Sequence, residues 1–378
     1  MIDKILLFPY SLALGVRKFC YDHQFLCRSR EAEVPTISVG NITAGGTGKT
    51  PHVEMILRTL LASDEWGSKD ISVLSRGYKR KSRGFQQVTT KRNASLFGDE
   101  PAQIKKKFPG VTVALDKNRI RGCRLLCHPD IVRTASAHKG CLEKDYPASD
   151  IIVLDDAFQY RKLKPSLNIV LVDYSRPIWK DKLLPFGDLR DLSSRIASAD
   201  IIIITKCPEY IDDWDRLTWA NSLGIRNYSP STFVGRSRKG HAQHLYFSKI
   251  QYCPALPIYD ECDPRYMYSK RMVLITGIAS DKPLKTYLSD NYKIVDSFSF
   301  ADHHRFSERD MKKIGVVGSK WPTAVLATTE KDAQRILASK KMPVSLRKRL
   351  FQIPIEVGFL TPEEKLSFEE ELLKAVRR

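Results

Sequence analysis

The residues whose types and spacing most plainly point to chemistry lie in the run Ile37-Ser38-Val39-Gly40-Asn41-Ile42-Thr43-Ala44-Gly45-Gly46-Thr47-Gly48-Lys49-Thr50. A short β-branched stretch enters a glycine-rich turn, and a helical pattern follows. Glycines let backbone N–H groups converge on phosphate oxygens, and the helix N-terminus adds its dipole. Gly45, Gly46, Thr47, Gly48, Lys49 and Thr50 then form the cradle of a nucleoside triphosphate. Lys49 reaches the β- and γ-phosphates, and the Thr50 hydroxyl ligates Mg2+. The first glycine of G-x-x-x-x-G-K-[ST] falls on Thr43, while the Gly-Lys-Thr ending and its strand–turn–helix context are intact. Partition-type ATPases carry a lysine just before the Gly-Gly pair; Ala44 stands there and argues against that class.

A nucleotide-bound metal needs an acidic residue at the end of a neighbouring strand. The run Ile151-Ile152-Val153-Leu154-Asp155-Asp156 supplies two carboxylates at the end of an apolar strand, where ligands bind in open α/β sheets. The alternative is a plain acidic cap between strand and loop; beside a P-loop, the metal reading of Asp155 and Asp156 is preferred. Cys123, Cys127 and His128 lie close together, but no second ligand pair at zinc spacing accompanies them, and they are read as helix packing. The eight cysteines form no Cys-x-x-Cys pair, which fits a reducing, cytosolic compartment.

The elements that must position these groups follow from hydrophobic patterning. Strands are expected at 36–40, 71–75, 111–115, 151–155, 168–173 and 201–205, and helices at 51–62 and 117–127. Continuous β-branched runs alternating with helices predict an α/β fold: a P-loop NTPase-like parallel sheet covered on both faces, with a second, smaller α/β domain. At 378 residues, 42% hydrophobic and 28% charged, the chain is long and apolar enough for two cores. The expected division is 1–206 for the nucleotide-binding domain, 207–265 for a weakly patterned linker, and 266–378 for the smaller domain, with strands at 272–277, 294–300 and 324–328 and a final helix from Pro362.

Charge and the N-terminus bear on partners. Lys and Arg number 62 against 43 Asp and Glu, a formal charge of +19, which favours anionic partners. The aromatic-interleaved basic stripe of nucleic-acid binders is missing, so no nucleic acid is expected. No apolar run is long enough to span a bilayer. Ile5 to Val16 is nevertheless mostly apolar and is followed by Arg17 and Lys18. It reads equally as a core-packing helix or as an amphipathic segment lying in a membrane interface, with Phe8, Leu12, Phe19 and Phe25 toward the lipid.

Taken together, the chain resembles the tetraacyldisaccharide 4'-kinase family of lipid A biosynthesis. The motifs that carry the resemblance run in order from Val39-Gly40-Asn41 and the P-loop through Ser75-Arg76-Gly77-Tyr78 and Gly98-Asp99-Glu100-Pro101. They continue with Leu154-Asp155-Asp156-Ala157-Phe158-Gln159, Leu184-Pro185 to Leu189-Arg190-Asp191, Asp302-His303-His304-Arg305-Phe306 and Thr328-Thr329-Glu330-Lys331-Asp332-Ala333. The resemblance implies transfer from ATP, with Mg2+, to the 4'-hydroxyl of a tetraacyldisaccharide 1-phosphate at the cytosolic face of a Gram-negative inner membrane. It implies that Asp99 is the general base and His303 its partner, that Lys49 is catalytic, that Asp155 and Asp156 stand near the metal, and that Arg76, Tyr78 and Arg190 meet substrate. Ala157 replaces the family's usual glycine, and Asp191 its usual Glu, which puts a metal role for Asp191 in question. A substrate whose acyl chains stay in the bilayer tips Ile5 to Phe25, and the Lys79–Arg83 loop, toward an anionic membrane surface; a monomer is expected. The competing readings are a P-loop kinase or ligase for a soluble small molecule, and a nucleotide-switched membrane-associated binding protein.

Overall fold

The computed structural model describes residues 2–77, 80–89, 94–134, 144–302, 304–339 and 342–377. Helix α1 (Ile2–Asp22) precedes β1 (Thr36–Asn41), which runs into α2 (Lys49–Ala62). Then come β2 (Ile71–Ser75), β3 (Gln86–Gln87), α3 (Ala94–Phe97), α4 (Asp99–Lys107), β4 (Thr112–Leu115), α5 (Arg119–Cys127) and α6 (Pro129–Thr134). Next are β5 (Ile151–Asp155), β6 (Leu167–Asp173), β7 (Ile201–Thr205), α7 (Asp213–Leu223), β8 (Arg226–Ser229), β9 (Val234–Arg236), β10 (Ala242–Tyr252) and β11 (Leu256–Pro257). The last third holds β12 (Arg271–Thr276), α8 (Lys282–Ser289), β13 (Lys293–Ser299), α9 (Glu308–Lys320), β14 (Val325–Thr329) and α10 (Glu330–Ser339). It ends with α11 (Val344–Arg347), β15 (Leu350–Ile353), β16 (Ile355–Phe359) and α12 (Pro362–Val376).

The first lobe is built on a sheet ordered β3-β4-β2-β5-β1-β6-β7-β10-β9-β8, with β16 added antiparallel to β10. From β4 through β10 every neighbour is parallel. Strands β1, β2, β5 and β7 are buried at every residue, as expected when helices cover both faces. Their carboxyl ends converge on one edge, with β1 between β5 and β6. A Cβ at Gly40 would stand 2.6 Å from the Cβ of Phe158, so only glycine lets β1 pass under the turn that follows β5. The second lobe carries a sheet ordered β11-β15-β14-β12-β13.

The chain's path differs from the expected division at the linker and at the C-terminus. Residues 207–265 hold α7 and β8 to β10, and β10 pairs in parallel with β7, so the large sheet continues straight through this segment. Its periodicity is weak because β8 and β9 are antiparallel strands at the sheet's end and β10, antiparallel to β9 and β16, mixes buried with exposed positions. At the other end, β16 and α12 return to the first lobe. The fully buried Glu364 of α12 pairs bidentately with the buried Arg216 of α7, at 2.8 and 3.1 Å, and also accepts the Phe247 N–H.

That pair ties α12 to α7, and removing one partner strands a buried charge. Glu364→Ala should therefore destabilise the protein by about 3–5 kcal/mol, read as a lowered midpoint in urea or thermal unfolding. An unchanged midpoint would show that the pair is dispensable.

Candidate active site

The turn after β1 is shaped by groups that engage its main chain from outside. Gly45 and Gly48 take φ of +94° and +81°, in or near the left-handed region that favours glycine. The Gly48 carbonyl accepts from His52 Nδ1 at 2.7 Å, while His52 Nε2 meets the Ser248 hydroxyl at 3.0 Å. Burial holds the His52 pKa down at about 4, so the ring is neutral and Nδ1 carries the donated proton. The Thr47 carbonyl accepts from the Thr205 hydroxyl at 3.1 Å, and the Gly46 carbonyl from Lys206 Nζ at 2.5 Å. Asn41 donates to the Thr47 hydroxyl at 2.8 Å. With its carbonyls turned outward, the turn presents Gly46, beside which a Cβ would meet nothing, to a cavity of about 850 Å³.

That cavity is lined from Ala44 through Pro51, by Ser75 and Arg76, by Gly98 through Pro101, by Asp155, Asp156 and Arg190, and by Asp302, Arg305, Lys331 and Arg335 of the second lobe. Asp155 is buried and takes the Ser75 hydroxyl on Oδ2 at 3.0 Å; its Oδ1, also buried, has no hydrogen-bond partner among the described residues. Burial first, then the charges of Glu100 and Asp156, push its pKa up to about 6. Asp156 behaves differently. Burial opposes its charge, yet Lys49 at 3.6 Å and Arg190 at 3.1 Å hold its pKa below the ordinary value. Arg119, itself buried, donates to the carbonyls of Asp155 and Asp156 at 3.0 and 3.4 Å and so fixes the turn that carries both.

The orphaned buried oxygen of Asp155, facing a cavity shared with the buried Thr50, fits a hard divalent cation that takes its remaining ligands from phosphates and water. Asp156 is neutralised by Lys49 and Arg190, so the two carboxylates of the pair are not equivalent.

Asp99 opens α4 behind Gly98, whose φ is +100°, and lines the same cavity. Its Oδ2 accepts from Arg335 Nε at 2.8 Å. Arg335 is nearly inaccessible and is anchored in turn on Asp332 at 2.7 Å and on the Gly277 carbonyl at 2.8 Å. Beside it, Lys331 pairs with Glu100 at 2.8 Å. One turn deeper, Lys107 bridges Glu54 at 2.7 Å and Glu330 at 2.8 Å, with Gln103 donating to Glu54. The Gly98–Pro101 and Thr328–Ala333 motifs, far apart in sequence, thus face each other across the lobes.

Tyr78 and His303, and Lys79 of the basic loop, lie outside the described residues. His304 is committed within its own lobe: it stacks on Phe300 at 4.4 Å and meets Asp310 at 3.0 Å. Arg76 and Arg305 are exposed on the cavity wall and make no ion pair among the described residues. Arg190 points to Asp156 and Asn41. Asp191 is not on the wall; it is buried in a pair with Arg161 at 2.9 Å. Sequence reasoning missed Arg119, Lys206 and Arg335, whose partners are far away along the chain. Position two after Lys331-Asp332-Ala333 was the available signal for Arg335, but it is only readable once Asp99 is known to face it.

The helix α1 packs Leu14 into the core beside Phe158, Leu183 and Leu189, and Arg17 donates to the Gln159 carbonyl at 3.0 Å. Its other face leaves Phe8, Leu12, Val16 and Phe19 more than half exposed. No helix among the described residues is long and apolar enough to cross a bilayer.

Comparison with known proteins agrees with this geometry. The family model for LpxK, tetraacyldisaccharide-1-P 4'-kinase, matches residues 4–377. Proteins named tetraacyldisaccharide 4'-kinase from Phocaeicola vulgatus and Parabacteroides distasonis are each 36% identical over 98% of this chain, covering 95% and 94% of their own lengths. The one from Flavobacterium johnsoniae is 32% identical over 98% of this chain and 97% of its own. In fold, the chain superimposes on a crystal structure of LpxK from Aquifex aeolicus in complex with ATP, with a TM-score of 0.66, 24% identity and coverage of 100% of this chain and 99% of that one. A family match along nearly the whole chain, around a cleft with these residues, places the protein in the LpxK family of tetraacyldisaccharide-1-P 4'-kinases.

Proposed function

We infer that the cleft transfers the γ-phosphoryl group of ATP to the 4'-hydroxyl of tetraacyldisaccharide 1-phosphate, the lipid A precursor named by the family. The observation that carries this reading is the convergence of the phosphate-binding turn, the orphaned Asp155 oxygen and Asp99 on one cavity.

In that reading the turn from Gly45 to Thr50 binds the triphosphate through its amides, and Lys49 neutralises the β- and γ-phosphates. Thr50 and Asp155 would hold Mg2+, with Asp156 close by as a second carboxylate. A cation held there would supply positive charge against the phosphate oxygens. Asp99 accepts the proton of the 4'-hydroxyl as that oxygen bonds to the γ-phosphorus and the bond to the β–γ bridging oxygen breaks, releasing ADP. Arg335 holds the Asp99 carboxylate through Oδ2, so its geometry depends on the second lobe being seated. His303 is the proposed further partner of Asp99, and Arg76, Tyr78 and Arg190 the groups that meet substrate or phosphate. The two lobes act as the jaws of one cleft, the first being the nucleotide-binding unit.

The acceptor's acyl chains require the enzyme to reach a bilayer. We propose that the exposed face of α1 lies in the interface of the cytosolic leaflet of the inner membrane, helped by basic residues worth about 1 kcal/mol each near anionic lipid. The Lys79–Arg83 loop is assigned to the same surface, although Lys81 lines the cleft wall, and the protein is taken as a monomer.

The deciding assay combines purified protein, ATP, Mg2+ and detergent-dispersed tetraacyldisaccharide 1-phosphate, with product mass as readout; absence of a phosphorylated product would overturn the reading. Asp99→Asn should lower kcat by about 10²–10⁴-fold with ATP binding retained, whereas Lys49→Ala should damage both. Arg335→Gln should reduce kcat with little change in the KM for ATP, and Arg335→Lys should restore part of it; equal loss in both variants would remove the positioning role. Leu14 belongs to the core, so membrane contact is best tested at exposed positions. Phe8→Ser with Leu12→Ser and Phe19→Ser should reduce co-sedimentation with anionic vesicles while leaving the thermal midpoint in place, and undiminished binding would exclude α1 as the anchor.

A further inference from the structure

The groups of the proposed transfer lie on three different helices. α2 begins at the phosphate turn and carries Lys49 and Thr50, and α4 begins at Asp99. α10, of the second lobe, holds Asp99 through Arg335 and Glu100 through Lys331. Transfer requires the base and the γ-phosphate to stand in fixed register, so these helices must be fixed to one another as well.

They meet at one side chain. Lys107, the last residue of α4, places Nζ 2.7 Å from Glu54 of α2 and 2.8 Å from Glu330, the first residue of α10. Glu54 is buried one helical turn beyond Thr50. Gln103, one turn before Lys107, donates to Glu54 at 2.9 Å and reaches Glu330 at 3.5 Å. Glu330 also accepts the Ile355 N–H at 3.4 Å. Ile355 opens β16, where the chain returns from the second lobe to the first. Cys253, where the chain leaves the first lobe, donates to the adjoining Pro354 carbonyl at 2.9 Å. The joint therefore sits where the lobes are covalently connected, off the cavity wall that Lys331 and Arg335 help to line. Burial raises the Glu54 pKa against the pull of Lys107, and the charge of Glu330 adds to the rise. Burial also opposes the charge of Lys107, yet the two carboxylates hold its pKa above the ordinary value. Two carboxylates thus share one ammonium, and without it they repel each other across the interlobe contact.

We propose that Lys107 is a positioning residue for phosphoryl transfer: its ammonium locks the helix that carries the phosphate turn to the helix that holds Asp99 through Arg335, and so sets the register of donor and base. The proposal rests on the phosphotransfer reading of the cleft and adds what keeps its parts aligned. Lys107 is off the cavity wall, so it acts through α2 and α10 and not on the reacting atoms. His52, Thr205 and Lys206 brace the turn from within the first lobe, so nucleotide binding does not depend on the joint.

Steady-state kinetics with ATP, Mg2+ and detergent-dispersed tetraacyldisaccharide 1-phosphate test this. Lys107→Met should lower kcat by about 10–100-fold while the KM for ATP moves by less than about threefold. Lys107→Arg, which can still bridge both carboxylates, should keep most of the rate. Glu330→Met leaves Glu54 and Lys107 paired within the first lobe and should cause a similar fall. An unchanged kcat in Glu330→Met would overturn the proposal even if Lys107→Met failed to fold. Combining Lys107→Met with Glu330→Met restores the joint's original net charge without restoring the link. A kcat still low, yet no worse than that of Lys107→Met alone, supports the positioning role. A rate returned to near normal would reduce Lys107 to charge balance and overturn it, as would a KM for ATP that rises as far as kcat falls. If the unsubstituted protein made no phosphorylated product, the phosphotransfer reading would fall, and the role of Lys107 with it. Product from the unsubstituted protein together with full kcat in Lys107→Met would sink the positioning role alone.

Discussion

A main-chain loop can hold a polyphosphate only if its carbonyl oxygens are kept away from the anion, because each one left inward repels it. Here that requirement is met from outside the loop. His52 takes the Gly48 carbonyl, Thr205 that of Thr47 and Lys206 that of Gly46. The anchors come from α2 and from the end of β7, and His52 is itself backed by Ser248 of β10. The parallel pairing of β7 with β6 and β10 therefore supports the proposed phosphate site, although none of those strands contributes a residue to the cavity wall.

The second dependence is electrostatic. In a chain with a formal charge of +19, carboxylates gather around the cleft. Asp156 is met by Lys49 and Arg190, Glu100 by Lys331 and Asp99 by Arg335. Asp155 keeps one buried oxygen unsatisfied and a raised pKa. That oxygen, met by none of these cations among the described residues, is where the proposed divalent cation would complete the site. Because Lys331 and Arg335 come from the second lobe, the first lobe alone would leave Glu100 and Asp99 without these two partners.

Several elements follow directly from local pattern. The runs 71–75, 151–155 and 201–205 coincide with β2, β5 and β7, since strands buried on both faces must be continuously apolar. The P-loop, the Asp155-Asp156 pair and the order of the motifs were legible for the same reason: each is contiguous, and its chemistry is set by residue type at fixed short spacing. The segment 207–265 was not legible as sheet, because edge and antiparallel strands alternate buried and exposed positions and dilute the signal. Nor was the return of β16 and α12, since a buried Arg216–Glu364 pair reads in sequence as two ordinary surface charges.

What the amino-acid sequence determined by itself is the glycine-rich turn with its Gly-Lys-Thr ending, the fold class and the family, all of which reside in short contiguous segments. What only the tertiary structure decided is which groups meet. Asp99 finds Arg335 across 236 residues, and Lys206 finds Gly46 across 160. Asp155 and Asp156, adjacent in the chain, were separated into an unsatisfied oxygen and a neutralised carboxylate. The reason is physical: burial and long-range partners set the charge and aim of a side chain, and neither is a property of its neighbours in sequence.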